Sequence, residues 1–293
     1  MTTVGCVLLT TGRKPGDLAR AVGSLVRQRG VETDVVVVGN GWDPTGLPEG
    51  ARGVHVPVDE GIPAGRNAGV PHVGGELLFF LDDDAALRDD DALARLAAMF
   101  AADPRLGMVQ CRVAPRPGAP EGVPLPRDWV PRLRVGDPAR TSDVTAVWEG
   151  AVAMPRRVFD RVGGWPRDFP FIIHEGIDLG WRVMDAGLRV RYAGDVVVLH
   201  PPPPLHPTRH GYSNYYSARN RVWIARRHLP WPLAPVFVAT FLLRTLPRMR
   251  TRRELRDALR GYADGIRLPG PPREPLRAAT LWRMVRLGRP PII

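Results

Sequence analysis

Three runs of consecutive apolar residues constrain the fold more than any other feature: "VGCVLLTT" from Val4, "DVVVVGNG" from Asp34, and "ELLFFL" from Glu76. A strand with one wet face alternates polar and apolar residues. These runs do not alternate, so they read as strands covered on both sides. Between the first two, "PGDLARAVGSLVRQ" repeats Leu18, Ala21, Val22, Leu25 and Val26 at helical spacing, with Asp17 as an early-turn or capping acid. A shorter strand is expected at "GVHVPV". Strand, helix, strand in this order predicts an α/β fold, with a mostly parallel central sheet and helices on both faces.

The stretch "LLFFLDDDAALRDDDALARL" carries two aspartate triplets. The second precedes "ALARLAAMF", where Leu93, Leu96, Ala97 and Phe100 share a helical face, so Asp89, Asp90 and Asp91 are expected to cap that helix and suit its dipole. The first follows a strand directly, at the end where ligands bind in open α/β sheets. Acids there repel unless something neutralises them. Asp82 and Asp84 make a spaced pair of hard oxygen ligands suited to Mg²⁺ or Mn²⁺; the alternative is a solvated turn.

From Arg112 to Thr141 the chain is rich in Pro, Gly and Arg and reads as a long surface excursion. Order resumes in "TAVWEGAVAMPRRVFDRVGGW": a strand, then a short helix over Val158, Phe159 and Val162, stopped by Gly163 and Gly164. "HEGIDLGWRVMDAGLRVRYAGDVVVLH" predicts a helix over 177–185 and strands around Val190 and Val197, before a polyproline-like exit at "HPPPPLHP". Residues 1–207 are assigned to the α/β domain and 208–293 to a basic, helical C-terminal extension. A helix over 233–246 would span roughly 21 Å, short of the ~30 Å hydrocarbon core. With tryptophans before it and arginines after it, this segment fits the membrane interface better than a span; packing on the domain is the competing reading.

The net charge of +11 is carried almost wholly by arginine, Lys14 being the only lysine. It is compatible with phosphate-bearing ligands, anionic lipid or nucleic acid. Two cysteines, Cys6 and Cys111, exclude a disulfide scaffold. The N-terminus has no signal-peptide pattern, so a cytoplasmic location is expected.

In order and spacing, "LLTTGRKPGDLARAVGSLVRQ", "VVVVGNG", "DEGIPAGRNAGV", "ELLFFLDDD", "EGAVAMPRRVFDRVGGW" and "HEGIDLGWR" resemble glycosyltransferase family 2, the inverting enzymes of the GT-A fold, over about residues 3–230. "NYYSARNRVW" is similar to the tail of its rhamnosyltransferase-like branch. The resemblance implies transfer of a hexose or deoxyhexose from a nucleoside-diphosphate sugar to a glycan or lipid-linked acceptor, with Mn²⁺ or Mg²⁺, at the inner face of the cell membrane. It implies a donor site from Thr11, Asn40, Asp59, Arg66, Asn67, Asp82 and Asp83; a metal site from Asp82, Asp84 and His200; and an acceptor wall from Trp148, Glu149 and Gly150. The general base would be Glu175 or Asp178, which stand three apart at a helix start, with Glu175 preferred. Two positions depart from the family pattern: Gly39 stands where an acid normally meets the base or ribose, and Gly176 where the second of two adjacent acids normally serves as base. Trp165 and Trp181 would stack on sugar or pack in the core. The competing functions are a sugar-nucleotide nucleotidyltransferase, which "TTGRKPGD" fits poorly, and a non-catalytic basic module for membrane or nucleic acid. Nucleic acid is disfavoured by acids at the ligand edge.

Overall fold

The computed structural model describes residues 1–119, 129, 137–169, 173–201 and 211–292, the side chains of 211 and 212 excepted. Its elements, in chain order, are β1 (Thr3–Thr10), α1 (Pro15–Val26), β2 (Glu32–Asn40), β3 (Ala51–Val56), α2 (Ile62–Gly69), β4 (Leu77–Asp82), β5 (Ala86–Leu87), α3 (Ala92–Ala102), β6 (Leu106–Pro115), β7 (Ser142–Val144), β8 (Ala151–Pro155), α4 (Arg156–Arg161), α5 (Glu175–Asp185), β9 (Arg189–His200), α6 (Gly211–His228), α7 (Leu233–Thr245), α8 (Arg252–Arg267) and α9 (Ala278–Arg286).

The strands form one sheet in the order β3-β2-β1-β4-β8-β6-β9-β5, with β7 also on β9. β1, β2, β3 and β4 are mutually parallel, β8 runs against β4 and β6, and β6 and β9 are parallel. Six strands therefore point the same way, and their carboxyl ends at Thr10, Asn40, Val56, Asp82, Pro115 and His200 lie along one edge. β8 runs the other way and so begins there, directly after Trp148, Glu149 and Gly150.

The continuous apolar runs are explained by two cores. Cys6, Leu8, Val35, Val37, Phe79 and Leu81 pack under α1 and α3. Val7, Val36, Val38, Leu78 and Phe80 pack on the other face with Leu179 and Val183 of α5. Trp223, Ile224, Leu229, Phe237, Leu276 and Met284 of the C-terminal helices and their connections belong to that second core. The extension is thus built into the sheet's cover, and the boundary at 207/208 lies outside the described residues, as does most of "HPPPPLHP".

Two local expectations, the surface excursion from Arg112 and the capping by the second aspartate triplet, are corrected, and one further helix is found. Arg112–Pro115 continue β6, because they pair with Val197–His200 beyond a register shift. "GIPAGRNAG" is helical from Ile62, with proline tolerated in the first turn. Asp91 stands at the N-cap of α3 but makes no side-chain cap bond; Gln28 Oε1 accepts from the Leu93 N–H instead, at 2.8 Å. The second aspartate triplet is held by arginines: Asp89 by Arg88 and Arg95, and Asp91 by Arg95. Among the described residues, no helix is long and apolar enough to cross a membrane.

Candidate active site

Asp82, the first of the aspartate triplet, ends β4 and His200 ends β9, so the sheet itself carries both to the ligand edge. Asp82, Asp84 and His200 each offer one ligand atom, all within 4.8 Å of one another. His200 Nε2 lies 3.1 Å from Asp84 Oδ1, and Nδ1 lies 2.7 Å from the Pro201 carbonyl, which orients the ring. Trp148 and Trp129 meet His200 edge-on, at 5.2 and 5.1 Å between centroids. Two carboxylates and an imidazole in this arrangement suit a divalent cation.

Counter-charges surround the acids. Lys14 Nζ sits 2.7 Å from Asp84 Oδ2, and Arg66 Nη2 is 2.7 Å from Asp82 Oδ1. Burial opposes the Asp84 charge, but the bonds to His200 and Lys14 outweigh it and hold the carboxyl below its usual range. Asp83 turns inward and accepts from Thr10 Oγ1 at 2.6 Å; burial raises its pKa. The triplet opens into a cavity of about 420 Å³, also lined by Thr11, Asn40, Asp59, Arg66 and His200. Asn40 Nδ2 donates to Asp59 Oδ1 at 2.6 Å, and Asp59 Oδ1 accepts from the Gly61 N–H at 2.9 Å, so the β2 end and the α2 start form one wall. A larger cavity, about 510 Å³, opens beside Gly75, Glu76 and Pro155, at the opposite end of β4 and β8.

Behind Asp82 lies a second acidic pair. Glu175, the first residue of α5, is buried, and its Oε2 has no hydrogen-bond partner among the described residues. Glu149 is only half-buried, and its Oε1 accepts from the Gly176 N–H at 2.6 Å. Loss of water and the Glu175 charge push the Glu149 carboxyl well above its usual range. Burial raises Glu175 too, against the Arg66 charge. Gly150, next to Glu149, has no room for a Cβ: Asp82 Oδ2 and the Trp148 ring lie inside contact distance. The "WEG" segment is therefore pressed against Asp82.

The family model for glycosyl transferase family 2 matches residues 6–163, more than half of the chain. The chain belongs to glycosyl transferase family 2. Solved structures with the same GT-A fold include GalNAc-T7 with UDP, GalNAc and Mn²⁺, at TM-score 0.62 and 14% identity over 93% of this chain. The mannosyltransferase PcManGT from Pyrobaculum calidifontis, in complex with GDP-Man and Mn²⁺, gives TM-score 0.56 and 20% identity over 97% of this chain and 79% of its own. S. aureus TarS 1-349 in complex with UDP-GlcNAc gives TM-score 0.62 and 14% identity over 91% of this chain and 81% of its own. The chain spans 59% of the GalNAc-T7 chain. A search of the curated proteins finds none that matches.

For a family 2 chain, both departures from pattern have steric causes. A Cβ on Gly39 would collide with the Trp42 carbonyl and come within 2.8 Å of Pro44 Cδ, because the turn after β2 folds back over it. A Cβ on Gly176 would collide with the Val147 carbonyl and stand 2.7 Å from Glu149 Oε1. The Glu149 carboxylate fills the space beside position 176.

Other candidate residues are placed elsewhere. Asp178 is fully buried and engaged by His228 Nε2 at 2.7 Å, Arg182 at 2.6 Å and Arg227 at 3.5 Å. Burial opposes its charge, yet these partners hold its carboxyl well below the usual range. It locks α5 to α6. The Asn67 amide is taken up by both backbone groups of Trp165 and does not line the cavity. Trp165 and Trp181 are core residues, against Phe80 and Phe237 respectively. Sequence reasoning missed Lys14, Thr10 and Gln110, whose Oε1 accepts from the Trp148 N–H at 2.6 Å. It also missed what fixes Glu175. Ile173 and His174 both take positive φ, at 86° and 75°. This strained turn is held by Asn220 Nδ2 to the Ile173 carbonyl, 2.8 Å, and by His174 with Ser217, 3.3 Å. Ser217 and Asn220 lie in "NYYSARNRVW", so α6 sets the start of α5.

Proposed function

We propose that this chain is an inverting glycosyltransferase that moves a hexosyl or deoxyhexosyl group from a nucleoside-diphosphate sugar to a hydroxyl of a glycan or lipid-linked glycan. The observation that carries the reading is the Asp82, Asp84 and His200 cluster at the mouth of the cavity walled by Thr11, Asn40 and Asp59. Solved structures of the same fold hold UDP with GalNAc and Mn²⁺, GDP-Man with Mn²⁺, or UDP-GlcNAc, which supports the donor class and the cation. Held by these three side chains, Mn²⁺ or Mg²⁺ would supply charge neutralisation to the departing diphosphate.

The chain's own groups divide the remaining work. Thr11, Asn40 and Asp59 line the nucleoside end, and Asp83 braces the strand end through Thr10. Arg66 holds Asp82 in place, while Lys14 brings a positive charge to the phosphate side of the triplet. Trp148 and Gly150 shape the acceptor side. Of the acids first considered as base, Asp178 is saturated by cations, and Glu175 is enclosed. Glu149 is the more accessible member of the Glu149–Glu175 pair, so it takes the acceptor proton, with Glu175 beside it. The acceptor O–H bond breaks as its oxygen bonds the anomeric carbon, the carbon–phosphate oxygen bond breaks on the opposite face, and the configuration inverts. The aromatic and basic α6 supports the rhamnosyltransferase-like branch. Work at the inner face of the cell membrane fits a lipid-linked acceptor.

Calorimetry with UDP, GDP and dTDP, each with and without Mn²⁺, tests the reading. Binding of at least one should tighten tenfold or more with metal, and Asp84→Asn should abolish the gain. Equal binding with and without metal would overturn it.

A further inference from the structure

Around α8, four kinds of residue fall into separate stripes at 3.6 residues per turn. Ala258, Gly261, Tyr262 and Gly265 are buried. Gly261 and Gly265 lie close against the backbone of α6, at the Tyr215 and Arg219 carbonyls. Beside that seam run Leu255, Leu259 and Ile266, which are 38%, 47% and 65% exposed. Next come Arg252, Arg256, Arg260 and Arg267, bordered by Arg253. The side chains of Arg253, Arg256 and Arg260 are about three-quarters exposed, and their nearest carboxylates are 3.6–3.9 Å away. Two of the helix's acids are engaged within the fold: Glu254 closes the capping box with Thr251, and Asp264 accepts from the Tyr215 hydroxyl at 2.9 Å. The outward charge of the helix is therefore arginine.

A helix that serves only its own core turns one apolar stripe inward. α8 has a second apolar stripe facing outward, with a cationic stripe along its edge. We infer that α8 is a docking surface for an anionic bilayer, lying in the interface with Leu255, Leu259 and Ile266 among the acyl chains and the arginines on lipid phosphates. Both stripes are then satisfied. A nucleic acid would take the arginines and leave the leucines in water. The sequence alone pointed to 233–246, but α7 turns Ala234 and Phe237 inward. Its outer face shows Val236 and Leu243, with Arg244 as its one arginine. This inference does not rest on the transfer reaction.

The test is co-sedimentation of the full chain with phosphatidylcholine vesicles and with mixed phosphatidylcholine–phosphatidylglycerol vesicles. The expected result is binding to the mixed vesicles only, weakening as salt rises. Arg256→Gln with Arg260→Gln should lose about twenty-five-fold in partitioning, about fivefold per arginine. Arg256→Lys with Arg260→Lys should keep it, and Leu259→Ser with Ile266→Ser should remove the part that survives high salt. Arg161→Gln with Arg167→Gln, on another surface, should change nothing. The inference is overturned by failure of the wild-type chain to bind mixed vesicles at low salt, by equal binding to neutral vesicles, or by equal loss in the control pair. Salt-sensitive binding of duplex DNA without vesicle binding would assign the stripe to nucleic acid. The wild-type arms decide the matter even if a variant fails to fold, and none of them depends on nucleotide binding.

Discussion

Asp178→Asn separates a structural acid from a catalytic one. The carboxylate is fully buried and touches Arg182, Arg227 and His228, which come from two helices, α5 and α6. Asparagine keeps the volume but removes the charge, leaving these groups facing an amide in a closed site. Removing one partner of a buried pair costs about 3–5 kcal/mol. For a chain of this size, ~1 kcal/mol moves Tm by about 2–3 °C, so a fall of roughly 6–15 °C is expected. The cost should depend on pH. The folded-state pKa of Asp178 is depressed, so its contribution is complete above the unfolded aspartate value of about 3.9 and fades as pH falls below it. Wild type and variant should therefore differ in Tm at pH 7 and converge as pH is lowered below about 4. Differential scanning calorimetry reads both effects. At a temperature well below the variant's Tm, calorimetric binding of a nucleoside diphosphate with Mn²⁺ should match wild type. A variant with wild-type Tm but transfer reduced a thousandfold would refute the reasoning and return Asp178 to the reaction.

Three further outcomes are expected. Gly150→Ala puts a methyl group against Asp82 Oδ2 and the Trp148 ring, so Mn²⁺-dependent nucleotide affinity measured by calorimetry should fall at least tenfold. Asn220→Ala removes the donor to the Ile173 carbonyl and frees the strained turn before Glu175; in an assay of nucleotide release from nucleoside-diphosphate sugars, the rate should fall while nucleotide affinity stays unchanged. Glu175→Gln removes a buried carboxyl whose folded-state pKa is raised, a group that lowers stability progressively above the unfolded value of about 4.3; the variant's Tm should exceed wild type at pH 8 and match it near pH 4.

What the sequence revealed depended on how local the determining interaction was. β1, β2 and β4 were legible because burial on both faces leaves no polar positions in their runs. Asp82 and Asp84 were legible because they stand at and just after the end of β4, and His200 because of the family resemblance; the fold brings the three together at one sheet edge. β5 and β7 were not, because two and three residues are too few to show a period. β6 was not read at all, and its end was hidden by Arg112 and Pro115, which pair because β9 passes alongside them and not because of any preference of their own. α2 was hidden by a glycine- and proline-rich composition that tertiary packing overrode.

The two glycines show where sequence comparison alone misleads. Gly39 and Gly176 read as losses: an acid missing from the nucleoside end, and an acid missing from the base position. In the fold neither position has space for a side chain. The turn after β2 occupies the first, and the Val147 carbonyl with the Glu149 carboxylate occupies the second. A carboxylate from the start of β8 thus stands where one from α5 would otherwise project, and it is tied there by the Gly176 N–H. This N–H bond calls for a close approach of backbone to carboxylate, which the missing Cβ permits. Gly176 and Glu149 are thus bound to each other across 27 residues of sequence. Position 176 carries no carboxylate of its own, yet one lies beside it, and only the fold brings the two positions together.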